Sequence, residues 1–113
     1  MSTRLEATGV ATTQHLSAEQ LSRLHRLLLD EHVAQQSRMV ELQDPSDLEP
    51  DLAAALLSRC EEAVEEIEAA LRLLDEGMYG RCVSCAAAIP YERLEAVPSA
   101  RHCVSCPPPG RLL

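Results

Sequence analysis

The chain has no phenylalanine and no tryptophan, and its only aromatic residues are Tyr79 and Tyr91. The large buried rings that anchor most compact cores are therefore missing, so stability has to come from aliphatic helix packing or from a bound metal. At 113 residues the chain forms one domain at most, with a small core, because surface outweighs volume at this size. No segment approaches the apolar length of a membrane helix. The N-terminus, with Arg4 and Glu6 in a Thr/Ala-rich stretch, has no apolar run of signal-peptide length. The expectation is a cytoplasmic protein with no membrane contact. That compartment is reducing, so its five cysteines read as ligands or free thiols rather than disulfides. An activated nucleophile and a phosphate-cradling glycine loop are also absent, so no catalytic residue is assigned and the chain is not expected to be an enzyme.

The charge that is present is unevenly spread. Net charge is -8, with sixteen Asp/Glu against six Arg in residues 1–76 and two Glu against four Arg in residues 77–113. A phosphate backbone repels the acidic part, which argues against direct DNA binding, whereas a basic protein surface or channel suits it.

Residues 1–16 carry no hydrophobic period and read as a flexible arm. Ser17 with Gln20 fits a capping box, and Leu21, Leu24, Leu28, His32, Gln35, Met39 and Leu42 then recur at steps of three and four. The stretch QDPSDLEP, residues 43–50, breaks the pattern with two prolines and three acids. Ala53, Leu56, Cys60, Ala63, Ile67, Ala70 and Leu74 form a second seam with a strict heptad, and glutamates 61, 62, 65, 66 and 68 lie outside it. Two helices of about 27 and 29 residues, each roughly 40 Å long, joined by a short break must run antiparallel. The fold class expected is mainly α: an antiparallel two-helix coiled-coil hairpin over residues 17–76 with its tip at 43–50. A small four-cysteine zinc finger follows over 77–106, and then a flexible tail over 107–113. A hairpin closed within one chain implies a monomer. The same seam would also serve dimerisation, and the sharp break is what argues for folding back.

Cys82-x2-Cys85, seventeen residues, then Cys103-x2-Cys106 falls within the spacing of structural zinc sites. Each pair lets two thiolates approach one metal from a tight turn, and two pairs close a tetrahedron with no open position. One structural Zn2+ per chain is expected, contributing roughly 10–16 kcal/mol of apparent binding energy to a segment with little core of its own. Cys60 sits on the helical seam and reads as packing. His15, His25, His32 and His102 are given no ligand role, since four cysteines already fill the site.

The stretches EGMYGRCVSC and IPYERLEAVPSARHCVSC resemble the finger region of the DksA/TraR family of bacterial transcription regulators. Gly77, Tyr79, Gly80, Cys82, Cys85, Ile89, Arg93, Leu94, Ala96, Pro98, Ala100, Cys103 and Cys106 carry the resemblance. It implies a protein that binds RNA polymerase and feeds its hairpin through the secondary channel, so that an acidic tip lies near the catalytic magnesium. Family members carry D-x-x-D-x-A at the tip; Asp44 and Asp47 match the aspartates and Glu49 stands in place of the alanine. The same acids admit a plain capping role, with Asp47, or Ser46 with Glu49, closing the start of the second helix. The family usually has glycine after the second cysteine, where this chain has Ala86. Alarmone-responsive members carry basic residues at positions taken to be Glu66, Val97 and Pro107 here, which argues against binding of guanosine tetraphosphate. The alternative is a zinc-ribbon interaction module whose hairpin dimerises and whose finger touches nucleic acid or protein through Arg81, Arg93 and Arg101. Arginines without stacking aromatics make a thin nucleic-acid surface.

Overall fold

The structure is a computed structural model that describes residues 15–44 and 46–106. Three helices follow one another: α1 (Ala18–Leu42), α2 (Pro50–Asp75) and the short α3 (Tyr91–Ala96). Helix α1 opens on the expected capping box. The Ser17 hydroxyl accepts from the Gln20 backbone N–H, and the Gln20 side chain accepts from the Ser17 N–H. Its apolar stripe then packs on α2 as an antiparallel hairpin, each arm about 38 Å long at 1.5 Å per residue. Every seam residue read from the heptads of both helices is buried or half-buried, so the seam closes the hairpin within one chain. Cys60 is one of these, 5% exposed between its neighbours, as packing requires. The polar middle of the α1 seam is also partnered, since His32 Nε2 lies 3.0 Å from Glu68 Oε2 across the hairpin.

The start of α2 differs from the capping expectation. Its N-cap is Glu49, with extended backbone and no side-chain cap, and neither Asp47 nor Ser46 serves. Pro50 occupies the first helical position, where a missing N–H costs nothing and a fixed φ is already helical. This sets the helix start downstream of the acids. At its far end α2 closes in a Schellman turn. Gly77 takes φ +74, its N–H donates to the Leu74 carbonyl, and the Met78 N–H donates to Leu73.

The core lies at the base of the hairpin, where the finger docks. Leu24 and Leu28 of α1, Ile67 and Ala70 of α2, and Tyr79, Ile89 and Leu94 from the finger form one cluster with Leu16. Leu16 was expected in the loose arm; instead it is 6% exposed and part of this core. His15 accompanies it, its Nε2–H donating to the Ile89 carbonyl at 2.8 Å. The remaining arm, residues 1–14, and the tail, 107–113, lie outside the described residues. No described helix is long and apolar enough to cross a membrane.

Candidate metal centre

The cysteine segment is placed by two glycines and a tyrosine. Gly80 has φ +92, and a Cβ on it would meet Leu16 Cδ1 at 2.9 Å. A side chain there is disfavoured both by the backbone and by the packing of Leu16 and His15. Between the glycines, Tyr79 is 1% exposed, and its hydroxyl donates to the Pro98 carbonyl at 2.8 Å. One ring thus ties the end of α2 to the loop after α3, and burial pushes its hydroxyl pKa up.

The first cysteine pair sits in a tight turn. The Ala86 N–H donates to the Cys82 carbonyl and the Cys82 N–H to the Ala87 carbonyl, both at 2.8 Å. Closing this turn takes Ala86 into the left-handed region at φ +66, so the chain accepts strain of about 1–2 kcal/mol where a glycine would be relaxed. The carbonyl of Ala86 also accepts from Arg81 Nη1 at 3.0 Å. The second pair is brought alongside by the Val83 N–H, which donates to the Arg101 carbonyl at 2.8 Å. Its own turn is closed by the Cys106 N–H on the Cys103 carbonyl at 3.0 Å.

The outcome is a cluster in which the sulfurs of Cys82, Cys85, Cys103 and Cys106 all lie within 4.8 Å of one another. The Cys85 and Cys103 sulfurs are 3.6 Å apart. A tetrahedron with zinc–sulfur bonds of about 2.3 Å has edges of about 3.8 Å, so the four residues fit one zinc ion without a rearranged backbone. His102, next to a ligand, is not in the cluster.

The electrostatics of the cluster point the same way. Burial pushes the Cys82 thiol up, but backbone groups of Cys103, Cys85 and Ser84 outweigh it and bring the thiol down to about 6. The Ser84 N–H, 3.4 Å from this sulfur, is one of them. The Ala87 backbone pulls the Cys85 thiol down, yet the Cys103 and Cys82 sulfurs push it up by more. Cys106 is pushed up to about 12, first by Cys85 and then by Cys103. A single thiolate is easily formed here and four together are not. A divalent cation lets all four ionise.

The family model for the prokaryotic dksA/traR C4-type zinc finger matches residues 77–106, the segment that carries the four sulfurs. The chain carries a zinc finger of the DksA/TraR family. Its cysteines hold a structural zinc, and the closed four-thiolate set offers no coordination position to a substrate. The chain is also 38% identical over 76 residues to general stress protein 16O of Bacillus subtilis, an alignment that covers 67% of this chain and 42% of that protein. It thus spans less than half of that relative. Among solved structures, the transcription factor DksA2 from Pseudomonas aeruginosa superposes with a TM-score of 0.64 at 26% identity, covering 79% of this chain and 81% of the other.

The two tip aspartates lie at the opposite end of the hairpin from the cysteine cluster. Asp44 and Asp47 are exposed in the loop between α1 and α2, and neither side chain makes a hydrogen bond or ion pair among the described residues. Sequence reasoning missed α3 and the His15–Ile89 bond. The first is only six residues long, and the second joins positions 74 apart.

Proposed function

We propose that the chain is a transcription regulator that binds RNA polymerase by inserting the acidic tip of its hairpin into the secondary channel. The likeness to the transcription factor DksA2 is the observation that carries this reading, because it runs through hairpin and finger together. The tip supports it. Asp44 and Asp47 have no structural occupation, and solvated carboxylates without a capping or pairing role are available to a partner. The rod behind them is acidic and its base is braced by zinc, which suits a narrow basic channel. Chemistry is left to the partner.

Guanosine tetraphosphate is not part of this reading. The cleft where α2 meets the finger is lined by Glu62, Glu65, Glu66 and Glu68 against Arg72 and Arg101, and four carboxylates there repel a polyphosphate. The test is transcription by purified bacterial RNA polymerase with the zinc-loaded chain and its Asp44→Asn/Asp47→Asn variant. The reading expects an effect of the wild type on initiation that the variant loses; equal effects would remove the role of the tip.

A further inference from the structure

The hairpin is acidic almost throughout, and its exceptions are concentrated. Between Arg26 and Arg72 the chain has twelve Asp/Glu and only two arginines, Arg38 and Arg59, with no lysine. One lies on α1 and the other on α2, yet the fold brings both to the walls of a single cleft of about 390 Å³ with Gln35, Leu56, Cys60 and Ala63. Neither guanidinium has a hydrogen bond or ion pair among the described residues, although twelve carboxylates are distributed along the same rod. Two like charges on one cleft without an ion-pair partner do not serve stability. Their planar forks are suited to carboxylate recognition, and the half-buried Leu56 and Ala63 supply the cleft with an apolar floor.

We infer that this groove docks an amphipathic segment of the partner protein, one that carries carboxylates beside an apolar side chain. Leu56 to Ala63 spans two helical turns, room for the side-chain ridge of a third helix to enter the groove between α1 and α2. An apolar side chain of that helix would rest on the half-buried Leu56 and Ala63, and its flanking carboxylates would meet Arg38 and Arg59. A lone phosphate would use the forks and leave the apolar floor idle. The inference rests on the proposed binding to polymerase and adds a specific element to it. On an acidic rod in a basic channel, a positive pair that needs an acidic partner fixes how deep the rod sits, because any other register sets arginine against basic wall.

The test is the affinity of the full zinc-loaded chain for purified RNA polymerase, measured for wild type, Arg38→Glu/Arg59→Glu and Arg38→Gln/Arg59→Gln. Both variants should keep the helical signal and melting temperature of the wild type, since the side chains are exposed and unpaired. The expected result is a loss of about tenfold or more for the Glu pair and a smaller loss for the Gln pair. Equal affinity of all three would overturn the groove and leave the channel reading standing. Failure of the wild type to bind would remove both. If the variants lost affinity only for polymerase loaded with nucleic acid, and not for the bare enzyme, the groove would be reading phosphates and the inference would be wrong.

Discussion

Gly80→Ala is a perturbation whose cost can be worked out from the contacts around one atom. The added Cβ would force alanine to φ +92, beyond the usual left-handed region, at about 1–2 kcal/mol. It would also arrive 2.9 Å from Leu16 Cδ1 and 3.2 Å from the His15 ring. Leu16 is 6% exposed and must move, which forfeits part of the roughly 1.5–3 kcal/mol its burial supplies. The sum is about 3 kcal/mol, and at roughly 4 °C or more per kcal/mol the melting temperature should fall by over 10 °C. Leu16→Ala alone should cost about 2–3 kcal/mol. Denaturant unfolding of the two single variants and the double variant forms a cycle. Because the closest contact disappears once Leu16 is truncated, leaving only the His15 ring, Gly80→Ala should cost little beyond its backbone share in that background, a coupling of about 1 kcal/mol or more. Strict additivity would refute the claim that residues 15–16 are packed against the finger.

Four further outcomes are expected. Ala86→Gly should stabilise the finger by about 0.5–1 kcal/mol, the relief at φ +66 less the entropy glycine loses on folding, as read from denaturant midpoints. Stripping zinc with a chelator should lower stability by about 4 kcal/mol or more while most of the far-UV helix signal survives, because α1 and α2 bury a seam of their own. Tyr79 has a folded pKa raised by burial, so its contribution is complete below the unfolded value near pH 10 and is lost as pH rises above it; Tyr79→Phe should remove that alkaline loss and cost about 1 kcal/mol at neutral pH. Asp44→Asn/Asp47→Asn should change stability by less than about 0.5 kcal/mol, since neither side chain caps α2.

The hairpin was legible because its signals are local. Steps of three and four from Leu21 to Leu42 and from Ala53 to Leu74 name the buried face directly, and Ser17 with Gln20 marks the first helix start. The metal site was legible for a different reason: thiolates at two residues' separation are already neighbours, so spacing alone nearly fixes the geometry. What escaped depends on contacts distant in sequence. Nothing near Leu16 says that it will pack beside Gly80, and nothing in YERLEA distinguishes six residues of α3 from a loop until Leu94 is buried against the hairpin. The capping alternative, Asp47 or Ser46 with Glu49, is the part of the tip that the structure does not follow, because no side chain there caps α2. Pro50 sets the boundary instead, leaving Asp44 and Asp47 idle.

The central claim is that the hairpin tip enters RNA polymerase. The direct measurement is to place a photo-crosslinker at Ser46, between the two aspartates, in the zinc-loaded chain bound to purified bacterial polymerase. The account predicts crosslinks to elements that line the secondary channel or the active site. No binding at micromolar concentration, or crosslinks confined to the outer surface of the enzyme, would contradict it.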